Sequence, residues 1–373
     1  MLLKSNIKIK LPFGPKNLVQ RRDKRPPASF VLLVLAGLLP IVIGLAVSFG
    51  STAIPLPLVA QVLLNGTGIF HFAHSWDSTI DIIIWQVRMP LVIGAALVGA
   101  ALGVAGALFQ GMFRNPLADP YLLGTSSGAA LGAAVAFALP FDTFASFFFS
   151  LTTLLAFIGA MLTVLFVYAI ARIGAAGQTP VVTLLLAGVV VNAILVAGQT
   201  LILTLRPPGQ AAVYQNLFNW VSGGVSVTSW TSLFVVASLI AVGLVAALAL
   251  ARVLDVFALG EDNAAHLGLH VEWYKFIIVV VASLLTAAAV SISGLIGFVG
   301  LVIPHLMRLL LGPGHRVLVL ATALSGAVFL VLADLLARTL LAPTVLPVGI
   351  FTAFVGAPFF LYLLRRSKRA YRW

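Results

Sequence analysis

Long apolar runs follow one another along almost the whole chain and are separated by short polar turns. Each run is close to the roughly 20 residues that an α-helix needs to cross the hydrocarbon core of a bilayer. Backbone N–H and C=O groups must be paired inside a bilayer, so such runs are expected to be helical. The pattern predicts ten membrane-spanning helices, near residues 29–50, 88–111, 121–139, 145–170, 180–204, 230–251, 274–292, 294–311, 317–337 and 345–364.

The stretch from Arg88 to Ala130 shows this pattern most clearly. A lone charge opens a long apolar run rich in small residues, a polar turn interrupts the run, and a second run rich in Gly and Ala follows. The composition of the interruption predicts a rigid polar turn between two spans. This turn consists of Asn115, Pro116, Leu117, Ala118, Asp119 and Pro120.

Small residues predict where helices pack closely and where the backbone bends. Ala95, Gly99 and Gly103 recur at four-residue spacing, which lets two helix backbones approach each other in a bilayer. A second group has a different spacing and ends in a proline, so it predicts a broken or kinked span. This group consists of Gly294, Gly297, Gly300 and Pro304.

The composition excludes a soluble globular protein. Of the 373 residues, 61% are hydrophobic and only 9% are charged, and the mean hydropathy is +1.13. The chain has no cysteine, which excludes disulfides, a thiol nucleophile and metal sites with cysteine ligands. There is no room for a sizeable soluble domain. The sequence predicts a basic tail at 1–28, a membrane domain at 29–364 and a second basic tail at 365–373.

The net charge of +12 predicts the orientation of the chain rather than binding to nucleic acid. With the N-terminus inside, the ten-span count places 19 of the 22 Lys and Arg residues on the cytoplasmic side, as the positive-inside rule requires. Only Arg88, Arg206 and Arg338 lie outside, and both termini are cytoplasmic. A cleaved signal peptide is not expected. The apolar stretch around 53–64 is expected to be an outer loop or an interfacial helix.

The longest polar connection on the predicted cytoplasmic side is the loop at about 255–272. It carries four acidic residues around a helix-prone Ala264-Ala265-His266-Leu267 core. The residues alone leave two interpretations open, a docking helix for a partner protein or a solvated loop helix without a partner.

The motifs of the common enzyme classes are absent from the sequence. The chain has no phosphate-binding loop of the Gly-x-x-x-x-Gly-Lys-Ser/Thr type and no hydrolase motif. Asp334 is the clearest ionisable residue within a span, and Arg338 follows it by one helical turn, so we expect an ion pair rather than a proton carrier. An ion-coupled secondary transporter therefore stays an alternative without an evident coupling site.

Many short motifs occur in one order after about residue 29. They are Arg88-Met89-Pro90, Gly99 to Gly106, Gln110, Asn115 to Pro120 with Leu123-Gly124, Leu184 to Gly188, Gly260-Glu261-Asp262 with Leu267-Gly268, Gly297 to Arg308, Ala333 to Arg338, Leu346 to Gly349, and Gly356-Ala357-Pro358. Together they resemble the permease subunits of binding-protein-dependent ABC importers for iron chelates, haem and cobalamin.

The resemblance implies an all-α integral membrane protein with ten transmembrane helices, like the cobalamin-importer permeases. It implies that two subunits enclose the path, as a homodimer or, as the alternative, a heterodimer with a paralogue. Two ATPase subunits on the cytoplasmic face would bind ATP and Mg, and this chain would bind no cofactor or metal. The implied location is the cytoplasmic (inner) membrane of a bacterium or archaeon, in contact with lipid.

The resemblance also implies roles for single residues. The cytoplasmic segment would be the coupling helix that docks on the ATPase, through Gly260, Glu261, Asp262, Ala265, Leu267 and Gly268. The outer face would receive carboxylates of a substrate-binding protein, periplasmic or lipid-anchored, through Arg88 and Arg338, with Asp334 holding Arg338. Leu91 stands where relatives often have a second arginine, and Arg206 is a candidate substitute.

The loop from Gly177 to Thr183 corresponds to the cytoplasmic gate, with Thr179 and Thr183 as candidates. The implied substrate is a large iron chelate or a tetrapyrrole, with a siderophore first, haem second and cobalamin third, moved by ATP-driven alternating access.

Overall fold

The computed structural model describes residues 25–50, 52–66, 68, 72, 76–139, 150–174, 179–205, 211–227 and 229–367. The regular elements within these stretches are helices. They are α1 (Ala28–Ser48), α2 (Leu56–Gly66), α3 (Ser78–Ile82), a π-helical turn (Ile83–Arg88), α4 (Met89–Met112), a 3₁₀ turn (Pro120–Leu123), α5 (Thr125–Ala138), α6 (Leu151–Gly174), α7 (Val181–Thr204), α8 (Ala211–Val221), α9 (Trp230–Phe257), α10 (Glu261–His266), α11 (Val271–Ser293), α12 (Val299–Leu311), α13 (His315–Thr339) and α14 (Val348–Ser367).

Every predicted span coincides with one of these helices, although not all of them are long. Seven helices of the described chain are long and apolar enough to cross a membrane, and α3, the π-helical turn and α4 form one of them as a continuous 35-residue helix. The other three predicted spans coincide with the shorter α5, α12 and α14. The count of ten therefore stays a prediction. The stretch at 53–64, expected to be an outer loop or an interfacial helix, contains most of α2. The connection between the predicted spans at 180–204 and 230–251 contains α8.

Helices α4 and α11 form the centre of the bundle. In an 18-residue apolar stretch of each of them, 78% of the residues are buried inside the protein. The same share is 17% in α1 and in α7. Helix α4 packs against α9, α11, α12 and α13. Following the charge prediction, we call the end that contains Met112 and α10 the inner end, and the end that contains Ser48 and Ser293 the outer end.

The predicted small-residue face of α4 is confirmed. A Cβ atom added to Gly99 would lie 2.1 Å from the carbonyl oxygen of Gly326 on α13, and one added to Gly103 would lie 3.1 Å from that of Thr322. One turn further along, a Cβ on Gly106 would lie 1.8 Å from the carbonyl oxygen of Gly300 on α12. Glycine therefore sets the distances from α4 to two of its neighbours.

The predicted bend after α11 is also present. Helix α11 ends at Ser293, and Gly294 and Phe298 have φ angles of +60° and +67° before α12 begins. Pro304 lies inside α12 and cannot donate the helical hydrogen bond to Gly300. Instead, the amide of Gln110 on α4 donates to the carbonyl oxygens of Gly300 and Leu301, at 3.4 and 3.0 Å. The Gln110 side chain thus supplies a donor in place of the backbone N–H that Pro304 lacks.

Candidate functional site

At the outer end, Arg88 holds the last turn of α1. Its guanidinium donates to the carbonyl oxygens of Val47 at 2.6 Å, of Ser48 at 3.0 Å and of Thr52, and to the hydroxyl of Thr52 at 3.0 Å. The last carbonyls of a helix have no partner within the helix and carry partial negative charge, so a cation stabilises them. Arg88 therefore closes the C-terminal end of α1.

Arg338 and Asp334 form the predicted ion pair on α13. The Arg338 Nη2 atom lies 2.8 Å from Oδ2 of Asp334, and Nε donates to the same oxygen at 2.9 Å. Asp334 is only 3% exposed. Arg338 also donates to the carbonyl oxygen of Ala46 at 3.4 Å, so both predicted docking arginines reach the same end of α1.

These contacts change the interpretation of the outer docking residues. Arg88 is only 6% exposed, and its donors are directed at its own chain. A direct ion pair between Arg88 and a binding protein would require this side chain to leave α1. Docking through Arg88 and Arg338 stays a prediction, while the described contacts assign both side chains a structural task. Arg206, the candidate substitute, lies outside the described residues.

We expect Arg88→Lys to lower the thermal stability of the detergent-solubilised protein, by roughly 1–3 kcal/mol in unfolding free energy. A single ammonium cannot reach Val47, Ser48 and Thr52 together as the planar guanidinium does. Thermal unfolding followed by tryptophan fluorescence measures the effect. Arg252→Lys is the matched control, because Arg252 is exposed on α9. Equal melting temperatures for the two variants would contradict the role of Arg88 at α1.

The predicted polar turn between α4 and α5 is built by local side-chain hydrogen bonds. Oδ1 of Asn115 accepts from the N–H of Leu117 at 2.9 Å, and Oδ1 of Asp119 accepts from the N–H of Tyr121 at 2.8 Å. Desolvation raises the pKa of the Asp119 carboxyl to about 6, against the opposing effect of that hydrogen bond. Pro120 is buried as the first residue of the 3₁₀ turn, and Pro116 is exposed. The predicted polar turn is therefore present and is held by local hydrogen bonds, and its rigidity stays a prediction.

The predicted coupling loop at 255–272 is divided among three helices. Helix α9 continues to Phe257, α10 occupies Glu261–His266 and α11 begins at Val271. Asp255 is thus helical, and its carboxylate accepts from the N–H of His315 at 2.9 Å, which caps α13. Sequence reasoning did not identify this cap, because its two residues are far apart in the chain.

Two glycines with positive φ angles delimit α10. Gly260 has φ +108° and Gly268 has φ +86°, a region that side chains other than glycine rarely adopt. At the C-terminal end, Gly268 and Leu269 donate to the carbonyl oxygens of Ala265 and Ala264, at 2.9 and 3.1 Å, as in a Schellman motif. The Gly-Glu-Asp and Leu-Gly motifs are therefore the two ends of this short helix.

Helix α10 exposes one face and buries the other. Ala264 is fully buried, whereas Leu267 is 65% exposed, and Asp262 and Ala265 are also exposed. The exposed face of this short helix therefore combines an apolar side chain with an acidic one, and docking through it stays a prediction.

Below α10, the ammonium of Lys275 is buried among acceptors from three elements. Nζ lies 2.6 Å from Oε2 of Glu261 on α10 and 3.0 Å from Oε1 of Glu272 on its own helix, α11. It also donates to the carbonyl oxygen of Thr179 at 3.3 Å, and the Thr179 hydroxyl donates to Oε2 of Glu272. The residues predicted for coupling and for the gate therefore meet at Lys275, which the sequence analysis did not single out. The only sequence signal was the three-residue spacing of Glu272 and Lys275.

The two gate candidates differ in position. Thr179 is fully buried in the segment just before α7, and Thr183 is half-buried in the first turn of that helix. Gly177, where the predicted gate loop begins, lies outside the described residues.

The chain is similar to known membrane permeases over nearly its whole length. Residues 38–366 match the FecCD transport family. An uncharacterized ABC transporter permease protein, YvrB of Bacillus subtilis, is 42% identical, covering 90% of this chain and 93% of the relative. The cobalamin import system permease protein BtuC of Halobacterium salinarum is 43% identical, covering 78% of this chain and 76% of the relative.

The fold has a match among solved structures. The chain superposes with a TM-score of 0.75 and 27% identity on an inward-facing conformation of a metal-chelate type ABC transporter, covering 91% of this chain and 99% of that one. The helical architecture agrees with this match. The chain therefore belongs to the FecCD transport family of multi-pass membrane permeases, the subunits of ABC importers that work with ATPase and substrate-binding partners.

Proposed function

We propose that this chain, as a homodimer, carries a large metal chelate from a substrate-binding protein into the cytoplasm. Two separate ATPase subunits dock at the inner end and hydrolyse ATP with Mg, and the permease itself binds no cofactor. The match to one transport family over residues 38–366 is the observation that supports this proposal most strongly.

The substrate class follows from the names of the relatives. One relative is named a cobalamin import permease and the structural neighbour a metal-chelate type ABC transporter, and both names support a metal complex as the substrate of this chain. A ferric siderophore is our first choice, haem the second and cobalamin the third. The binding protein selects the ligand before it reaches the permease, so the membrane subunit does not have to recognise it tightly.

The proposed orientation rests on the charge pattern. Of the 22 Lys and Arg residues, 19 fall on one side when the spans are counted from an inner N-terminus. This supports placing both tails and α10 on the ATPase side. The two relatives come from a bacterium and an archaeon, which supports the cytoplasmic membrane of such a cell as the location.

The mechanism needs the ATPases to move α10. A ligand or nucleotide shifts a conformational equilibrium only through contacts that differ between the two states. Closure of the ATPases on ATP would change their contacts with the exposed face of α10, including Leu267, and so favour one orientation of the α7 and α11 inner ends. The substrate undergoes no chemical change.

Reconstitution into liposomes with the cognate ATPase and binding protein tests the proposal. We expect uptake of a chelate that requires ATP and binding protein and continues without an ion gradient. A panel of a ferric hydroxamate, haem and cobalamin identifies the substrate class. Liposomes with the permease alone are the control. Uptake driven by an ion gradient without ATP would refute the ABC mechanism and favour a secondary transporter.

A further inference from the structure

The inner end holds a buried ionic network that joins two elements far apart in the chain. Thr179 is 96 residues before Lys275, and Glu261 is 14 residues before it. Lys275 itself is 3% exposed, while the side chains of Glu261 and Glu272 are 34% and 35% exposed. The network therefore has a buried cation at its centre and two carboxylates at its edge.

A buried ammonium is retained only when acceptors replace its lost hydration. Lys275 has three, and each comes from a different element: α10, α11 and the segment before α7. If any one of these elements moved away from Lys275, one donor of the buried ammonium would lose its acceptor, which is unfavourable. The three elements are thus held together by one side chain.

Thr179 is held at two atoms. Its carbonyl oxygen accepts from Lys275, and its hydroxyl donates to Glu272. Two contacts on one residue restrict its rotation as well as its position, so a displacement of Lys275 and Glu272 would carry the backbone before α7 with it.

Direct packing between α10 and the start of α7 is interrupted by a cleft. This cleft has a volume of about 380 Å³ and is lined by Thr179, Pro180, Glu261, Asp262, Ala265, Val271, Glu272 and Lys275. The glycines at both ends of α10 make its covalent connections adaptable. Movement of α10 therefore reaches α7 through the charged contacts at the wall of the cleft, where close packing is missing.

We propose that Lys275, with Glu261, Glu272 and Thr179, is the mechanical link that makes the coupling helix and the gate segment move as one body. This inference rests on the proposed function, because it assigns a path to the coupling between ATPase and gate. Lys275 acts through its neighbours and is a positioning residue.

The link is tested by a distance measurement that does not depend on transport. The natural chain has no cysteine, so cysteines introduced at His266 on α10 and Val182 on α7 can be spin-labelled selectively. Both positions are exposed and outside the network. We compare the distance between the two labels of one subunit in the nucleotide-free complex and in the complex with ATP and a hydrolysis-deficient ATPase. We expect the same mean distance and an equally narrow distribution in both.

Lys275→Met leaves two carboxylates without their cation and can prevent folding. The neutral variant Lys275→Met/Glu261→Gln/Glu272→Gln removes the charges together, and Thr179→Val removes only the hydroxyl. In the neutral variant we expect a broader distribution of distances between the two labels and a mean distance that changes with nucleotide. The amount of substrate transported per ATP hydrolysed is expected to be at least tenfold lower. Thr179→Val is expected to have a smaller effect in the same direction. Arg252→Gln, which removes an exposed inner charge outside the network, is expected to behave as wild type.

The outcomes separate this link from the proposed function. If wild-type complexes transport with ATP and the neutral variant keeps both the narrow distance and full coupling, the link is refuted and the proposed function stands. If the wild-type complex shows no ATP-dependent transport, the proposed function fails. If the neutral variant does not assemble, Thr179→Val provides the test in its place. An unchanged label distance and unchanged coupling in Thr179→Val would also refute the link.

Discussion

We expect Gly106→Ala to lower the unfolding free energy by about 3 kcal/mol or more, and so to be among the most destabilising single-methyl changes in the chain. The added Cβ would lie 1.8 Å from the carbonyl oxygen and 2.5 Å from the carbonyl carbon of Gly300. These are backbone atoms, so no rotamer change relieves the clash, and α4 and α12 must separate. The separation would also pull the Gln110 amide away from Leu301. The melting temperature and the yield of monodisperse protein measure the effect.

Gly37→Ala is the matched control for this substitution. Gly37 lies on α1, and a Cβ added there has no atom within 4 Å other than those of its chain neighbours and of the backbone of its own helix. The same methyl group in a membrane helix is therefore expected to leave the melting temperature unchanged or slightly raised, because alanine favours a helix over glycine. Equal effects of the two substitutions would show that helix propensity, and not the approach of α4 to α12, dominates.

Arg338→Met is expected to destabilise the outer end by roughly 3–5 kcal/mol, because it leaves a buried charge without its partner. Asp334 is 3% exposed, and its Oδ2 atom accepts from both Nε and Nη2 of Arg338. The variant must either keep an uncompensated carboxylate among apolar helices or protonate it. The Ala46 carbonyl on α1 also loses its donor. Thermal unfolding in detergent measures the loss.

The double variant Arg338→Met/Asp334→Asn separates the effect of the buried charges on stability from the role of Arg338 in docking the binding protein. It removes both charges, so we expect most of the lost stability to return, as is common when a buried ion pair is replaced by neutral groups. The folded double variant then allows the affinity for the binding protein to be measured without the complication of unfolding. Wild-type affinity would contradict docking through Arg338, and a double variant as unstable as Arg338→Met would contradict the charge argument.

Features that depend on neighbours in the chain were predicted correctly. The turn at Asn115 to Pro120 is built from side-chain bonds to backbone groups two residues away, and the pair of Asp334 and Arg338 spans one helical turn. The break near Gly294 follows from glycine and proline chemistry. Such contacts are encoded within a few residues, so spacing is enough to find them.

The long-range contacts at the two ends of the bundle were not predictable in this way. Arg88 reaches carbonyl groups 36 to 41 residues before it, and backbone carbonyls carry no residue-specific signal. The resemblance to other permeases pointed to Arg88 as a docking residue, whereas the fold buries it against α1. The Lys275 network joins Thr179 and Glu261 across a distance in sequence that no local pattern covers.

The sequence by itself determined that the chain is a helical membrane protein and to which family its motifs belong, and its charge pattern predicts an orientation. These properties depend on the hydrophobic effect, on local hydrogen bonding and on the order of short motifs, all of which can be read along one dimension. The tertiary structure alone decided what Arg88 and Lys275 contact and which neighbouring helices the glycines of α4 approach. A buried charge takes its partners from whatever the packing places within about 3 Å, and packing brings distant segments together.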